Sequence, residues 1–417
     1  MRRRIAIVTG APLCRNPRVV KEATALGEAG YDVTVLRPVL THSLRELDAA
    51  LEDAAPWTTR TTVDLTAGPA SGLVARLGRR AGAAAVAHAR WPAAAALGYG
   101  VAATLRMARA LRADLTIGHQ EVGLYVADRL ARAGFRTGVD LEDWYSEDLL
   151  PADRVGRPVD LLRRAENAAV RRGGSVTTTS HALAAALAAA SGGPAPAVVY
   201  NVFPFADRDR IDGLRLDRPP DDARPSLHWV SQTVGPGRGL ETLFAALRQV
   251  QTPVAVHLRG ALSTTGEAWA RAAFPADAGH GLYTHALVPP GDLLSRIAEH
   301  DVGLALESPT PPSRDLTVTN KLFHYLLGGL AVVATDTAGQ SEIASCAPEA
   351  IGLCRASDAV SLAAALERLV ASPDRLTRAR QAALHVSRVR FCWEQQAAAL
   401  HESVGQGLGA TQTLLQT

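Results

Sequence analysis

Between Val302 and Thr335 the sequence prescribes strand, helix and strand in an order that suits a parallel sheet. Val302-Gly303-Leu304-Ala305-Leu306 is a short apolar run closed by Glu307, the pattern of a strand buried on both faces. Pro311 and Pro312 forbid an immediate helix. Thr317 or Thr319 can cap the helix beyond them, because a hydroxyl satisfies free N–H groups at a helix start. Leu322, Phe323, Leu326 and Leu327 then share one helical face, and Gly328-Gly329 ends the helix. Leu330 to Thr335 is a second buried strand, with Asp336 to Gly339 as a polar loop at its carboxyl end. Asn320 and Lys321 therefore stand at a helix N-terminus, on the edge where α/β sheets take ligands. A helix N-terminus suits phosphate. Lys321 also stands out by scarcity: of 44 Lys+Arg, only Lys21 and Lys321 are lysine.

At 417 residues the chain is long enough for two domains with separate cores. The net charge of +3 gives no ground for a nucleic-acid partner. Cys14, Cys346, Cys354 and Cys392 have no metal-ligand spacing and read as thiols in a reducing compartment. The apolar run after Met-Arg-Arg-Arg is too short for a signal peptide, and no stretch is apolar enough to span a membrane. The expected location is the cytoplasm.

The first half begins with a βαβ unit. Ile5 to Val8 is a strand, Asn16-Pro17 opens a helix with Asn16 as its cap, Gly30 stops it, and Val33 to Leu36 is the next strand. The fingerprint GxGxxG is absent, which argues against a dinucleotide in the first turn. Arg15, Asn16 and Arg18 instead make the loop after the first strand polar and basic. His119 ends the strand from Asp114, and Glu142 and Asp143 begin an acidic run after the strand Thr137 to Leu141. His119 and Asp143 are thus candidates on the ligand edge. No DxD pair occurs there, so no metal is expected. Ser175 to Thr179 and Val198 to Tyr200 close this half as strands.

Residues 65–113 carry no acidic residue but seven arginines: Arg76, Arg79, Arg80, Arg90, Arg106, Arg109 and Arg112. Leu73, Leu77, Trp91 and Tyr99 are interleaved with them. This suits either a solvated arginine face or a basic surface that meets an anionic acceptor or the inner face of the membrane.

A Pro-, Asp- and Arg-rich stretch without apolar period reads as a linker. Strands resume at Leu227. The loop Gln232 to Gly239, with Gly235, Gly237 and Gly239 around Arg238, allows close approach of a phosphate to backbone N–H groups. The division expected is 1–205 as an N-terminal Rossmann-like domain, 206–225 as linker and 226–388 as a C-terminal Rossmann-like domain. Residues 389–404 form a last helix, and 405–417 a disordered tail.

Two such domains resemble a GT-B glycosyltransferase, two Rossmann-like parallel-sheet domains facing across a cleft. The motifs resemble the retaining glycosyltransferase family 4. They are Asn16 to Ala23 with Leu26 to Val35, Ser231 to Glu241, Asn320-Lys321-Leu322-Phe323-His324-Tyr325 with Gly329, and Val199-Tyr200-Asn201. Arg238 stands where that family usually has lysine, and His324 where it places the second of two glutamates, after an insertion following Glu307. The resemblance implies a glycosyltransferase of the EC 2.4 class using a UDP- or GDP-sugar, with no other cofactor, for biosynthesis in a bacterium. Arg238 and Lys321 would stabilise the departing diphosphate, Glu307 would face the sugar, and His119 the reaction centre. Gly235, Gly237, Gly239, Thr319, Asn320, His324 and Glu342 would bind the donor, with the ribose held by His324, Glu342 or a backbone group. Asn16, Arg18 and Asp143 would lie on the acceptor side, and domain closure would complete the site. The acceptor implied is a small-molecule natural product or a glycan. Two rivals stay open: a non-catalytic nucleotide-sugar or glycan-binding protein, and an inverting enzyme with His119 as base.

Overall fold

The computed structural model describes residues 2–53 and 55–409, apart from the side chains of 69–71. It divides into two compact units. One runs through Val199 and regains the chain from Ala397, and the other is Tyr200–Gln396.

The first unit holds seven strands: β1 (Arg4–Val8), β2 (Asp32–Val39), β3 (Thr58–Asp64), β4 (Leu115–His119), β5 (Thr137–Leu141), β6 (Val176–Thr178) and β7 (Ala197–Val198). They pair in parallel in the order β3-β2-β1-β4-β5-β6-β7. The second unit holds β8 (Ser226–Thr233), β9 (Ala255–Ala261), β10 (Gly281–His285), β11 (Val302–Ala305), β12 (Ala331–Thr335) and β13 (Ile351–Cys354). Their order is β10-β9-β8-β11-β12-β13, again parallel. Each order reverses direction once, between β1 and β4 and between β8 and β11. Crossover helices pass to opposite faces there, and a crevice opens at the strands' carboxyl ends.

The second unit's core packs Leu227, Trp229, Val256, Leu258, Leu304 and Val333 against Leu243, Phe244, Leu247 and Leu366. Each such side chain contributes on the order of 1.5–3 kcal/mol by leaving water. Among the described residues no helix is long and apolar enough to cross a membrane.

Several elements depart from the sequence reading. β3, Thr58 to Asp64, is polar and has no apolar run, because it is an edge strand with most residues at least partly solvated. The 310 turn Leu13–Arg15 fills the first loop. Pro312 does not hold off helix: it starts the short helix Pro312–Leu316, where its missing N–H is harmless. Asp336 to Gly339 is not all loop, for Thr337 caps a helix Ala338–Cys346 that contains Glu342. A helix Thr264–Ala273 and strand β13 also lacked a clear sequence signal. At the other end β7 is shorter than expected, and Tyr200 already belongs to the second unit.

The 206–225 stretch is strapped to the second unit by ion pairs: Asp212 with Arg296, Asp217 with Arg259, and Arg218 with Asp301 at 3.1 Å. The last helix runs Trp393–Gly407, so its final turn takes residues assigned to the tail. It is held in the first unit by Ser175 to Ser403 at 3.3 Å and by Arg3 and Arg136, which both donate to the Leu408 carbonyl. Residues 410–417 of the expected tail lie outside the described residues.

Candidate functional site

At the switch between β8 and β11 lies a cavity of about 1100 Å³. Three segments build it. The first is the glycine loop after β8. Gly237 and Gly239 have φ of +81° and +82°, which L side chains rarely adopt. A Cβ on Gly239 would also come within 2.7 Å of Leu306 Cβ, so only glycine lets the loop turn this tightly onto β11. Arg238, between the two, is exposed, and its Nη1 donates to Ser231 Oγ at 2.9 Å. The Gly237 N–H donates to the Glu241 carboxylate at 2.6 Å, so the loop amide already serves an anion.

The second segment is the end of β11. The Glu307 N–H donates to Thr335 Oγ1 at 2.9 Å, which ties this loop to the end of β12. The third is the helix Asn320–Gly328, whose first residues Asn320 and Lys321 line the cavity. Lys321 Nζ pairs with Glu307 Oε1 at 2.6 Å. Both side chains keep about a fifth to a quarter of their surface, 21% and 25%. His324 follows one turn later on the cavity wall, its ring stacked on Phe203 with centroids 3.6 Å apart.

The helix is seated by Tyr325. Its ring lies where a Cβ on Gly303 would be, 2.1 Å from the nearest ring atom. The Tyr325 hydroxyl accepts from the Val230 N–H at 3.2 Å and donates to the Leu304 carbonyl at 3.4 Å. Burial, then Glu307's charge, pushes this phenol well above its ordinary value, so it stays neutral.

The cavity therefore brings together Arg238, Lys321, Glu307, Gly237, Gly239, Asn320 and His324. Gly235, Thr319 and Glu342 are not on its walls. Thr319 sits at the helix N-cap without a side-chain cap bond, so the expected hydroxyl cap is not made. Glu342 bonds instead with the Tyr200 hydroxyl, whose ionisation it opposes along with burial. Walls the sequence reading missed include Ser231, Leu293, Leu306, Arg314, Thr335 and Arg355. Arg314 had a signal, since it lies in the same connection between β11 and β12 as Lys321.

The first unit's ligand edge differs from expectation. Asn16 is buried: its Oδ1 accepts from the Val19 N–H at 3.2 Å, and its Nδ2 reaches Thr9 Oγ1 at 3.5 Å. Arg18, 2% exposed, gives its Nε to Asp140 at 2.7 Å and its Nη1 to the Val199 carbonyl at 2.8 Å. His119 is the last residue of β4, 1% exposed, with Nε2 2.9 Å from Glu22 Oε2. Burial, the largest influence, opposes its charge, but Glu22 and Asp140 together carry its pKa above the ordinary value. The His119 ring is thus engaged by a carboxylate of its own unit. Asn16, Arg18 and His119 thus all make buried contacts within the first unit. Asp143 is only half-buried. Burial, then the charges of Glu142 and Asp148, pushes its carboxyl well above the ordinary carboxylate range.

Two clusters have ligand atoms close enough for a metal ion: Asp217 with His228 and His300, and Glu22 with His119 and Asp140. In the first, the histidine rings stack with planes 12° apart. Imidazole lone pairs lie in the ring plane, so nearly parallel rings cannot both aim at one ion. In the second, each carboxylate already has a cation, Glu22 with His119 and Asp140 with Arg18.

No protein-family model matches the sequence, and no curated protein matches it. Solved structures do match along nearly the whole chain. A sucrose-phosphate synthase from Thermosynechococcus elongatus aligns with TM-score 0.69 at 16% identity, over 98% of this chain and 100% of that one. A glycosyltransferase from Rickettsia africae aligns with TM-score 0.66 at 12% identity, over 98% and 100%. Anabaena Alr3699/HepE, solved in complex with UDP-glucose, aligns with TM-score 0.64 at 17% identity, over 96% and 99%. With two parallel Rossmann-like sheets of seven and six strands, the chain has the fold of the GT-B glycosyltransferases.

Proposed function

We propose that this protein is a glycosyltransferase that moves a sugar from a UDP- or GDP-sugar to a small-molecule or glycan acceptor, with retention, in the bacterial cytoplasm. One observation carries the reading: Arg238, Lys321 and the Gly237 and Gly239 backbone converge with Glu307 on a single cavity at the switch point of the second sheet. Two cations, a loop amide and a helix N-terminus suit a diphosphate. The matched structure that holds UDP-glucose supports the same ligand class.

In this reading the bond between the sugar's anomeric carbon and the donor's phosphate oxygen breaks. Charge then grows on the departing diphosphate, and Arg238 and Lys321 stabilise it. The acceptor oxygen bonds to the anomeric carbon, and its proton passes to the leaving phosphate oxygen. Lys321 leaves Glu307 for the phosphate, which frees Glu307 for a sugar hydroxyl. Asn320 and His324 take the nucleotide's remaining polar groups, and Asp143 is the acceptor-side group.

A non-catalytic nucleotide-sugar binder is the second reading. It is favoured by His324, which replaces a carboxylate and stacks on Phe203. Calorimetric titration with UDP and with GDP tests the donor site, on wild type and on Arg238→Ala. Micromolar binding of one nucleotide, weakened at least tenfold in the variant, is expected and names the base. Binding of neither would remove the donor assignment. Transfer or donor hydrolysis separates enzyme from binder, and the product's anomeric configuration tests retention.

A further inference from the structure

The first unit contains a second cavity, of about 460 Å³, far smaller than the one at β8 and β11. Its walls come from separate parts of the chain: Arg76, Arg79 and Arg80 from the helix Pro69–Ala89, Tyr99 from the segment after it, and Gly156 and Arg157 from a later loop. None of its walls is a carboxylate. Among the described residues, Arg76, Arg79 and Arg80 have no ion pair.

Arg79 leans on Tyr99, its guanidinium carbon 5.0 Å from the ring centre and its Nη1 3.2 Å from the hydroxyl. Arg157 pairs with Glu121 through Nη2, while its Nε is buried and makes no hydrogen bond. Gly156, with φ of +75°, packs against Ala83 of the long helix, which sets Arg157 opposite the other three arginines. Burial, then the charge of Arg79, lowers the pKa of Arg157. Four arginines line this space, and Glu121 pairs with Arg157. Like charges gathered this way repel unless an anion joins them.

We propose that this cavity is a binding site for a phosphate-bearing group. Guanidinium forks match phosphate oxygens two at a time. The volume has room for a phosphate ester or a diphosphate. Two sources share this chemistry: a soluble phosphate compound and a lipid headgroup. The second is given weight by Leu73, Val74 and Leu77 of the same helix, which are 54%, 71% and 52% exposed.

Arginine labelling by phenylglyoxal, read peptide by peptide in the full-length protein, tests the site separately from the donor cavity. The probes are inorganic pyrophosphate, phosphatidic acid vesicles and phosphatidylcholine vesicles. Labelling of Arg79 and Arg157 is expected to slow at least fivefold with pyrophosphate or phosphatidic acid, against exposed Arg210 as reference. Protection by pyrophosphate assigns a soluble ligand, and protection by phosphatidic acid alone assigns a lipid headgroup. Arg76→Gln, an exposed and structurally mild change, is expected to remove the protection of Arg79 while the melting temperature holds. Equal protection by phosphatidylcholine, protection that persists in Arg76→Gln, or protection by none of the three overturns the proposal.

Discussion

In the proposed reaction Lys321 exchanges one anionic partner for another. In the structure it is neutralised by Glu307 at 2.6 Å, at the N-terminus of its helix. Because both groups are partly solvated, the pair contributes only about 0–1 kcal/mol to stability. Lys321→Ala is therefore expected to leave the urea midpoint nearly unchanged. It should cost roughly 10²–10³ in kcat, the usual scale for losing one group that meets developing charge. Steady-state rates and a urea titration on the same preparation check this. Near-normal kcat would end the diphosphate role of Lys321. The scarcity of lysine marked this residue in the sequence. Its partner Glu307 was also singled out, but the contact between them needed the fold, since a strand end and a helix start must first be brought side by side.

At the scale of elements, the helix Asn320–Gly328 is held in position by Tyr325. Its hydroxyl bridges β8 and β11, and its ring uses the gap left by Gly303. Tyr325→Phe leaves the buried Val230 N–H without its partner. The expected cost is about 1–3 kcal/mol, read as a lower urea midpoint with unchanged slope. A midpoint within about 0.3 kcal/mol of wild type would remove the bridge from the account. The helix itself was legible from Leu322, Phe323, Leu326 and Leu327 at helical spacing. Strand β3 was not, because an edge strand with solvated faces needs no apolar run. The helix Ala338–Cys346 was missed for a related reason: its Thr337 cap sits in a Gly-containing polar stretch that also reads as a turn.

At the scale of the whole molecule, the two units should answer acid in opposite directions. In the second, burial depresses the pKa values of His228, His257, His285 and His300. These rings lie around Asp217 and Arg259. Above about pH 6.5 the histidines are neutral folded or unfolded. Below it the unfolded chain takes up protons that the folded unit refuses, so stability falls. Asp217, held low by its hydrogen bonds to His300 and Arg259 despite burial, stays ionised throughout that range. Glu299, raised by burial, offsets only part of the effect.

In the first unit Glu142, Asp143 and Glu166 are raised by burial, and His119 by Glu22 against burial. The folded unit holds protons there that the unfolded chain releases. That contribution is present at low pH and is lost as pH rises through about 7 for Glu166 and about 8 for Asp143. His401, depressed by burial, opposes it in part. Hydrogen exchange at pH 7.5 and 5.5, corrected for intrinsic rates, should show β8 and β9 less protected at the lower pH and β4 and β5 more protected. Shifts of the same sign in both units would refute this.

The sequence by itself determined the class of the fold and several walls of the cavity at β8 and β11. Apolar runs of strand length, helical spacing and glycine positions are local properties, and they mark where a parallel sheet's strands end and which loops approach a ligand. That was enough to single out Arg238, Lys321, Glu307, Gly237, Gly239, Asn320 and His324, which line one cavity. Only the tertiary structure decided which polar residues at a strand end face solvent and which are consumed within. Arg18 meets Asp140 across 122 positions, and His119 meets Glu22 across a strand and a helix. The arginine cavity likewise needs Arg157 beside Arg76 to Arg80. Such pairings follow from sheet order and from the competition of distant charges for buried space, and neither is written in any local pattern of the chain.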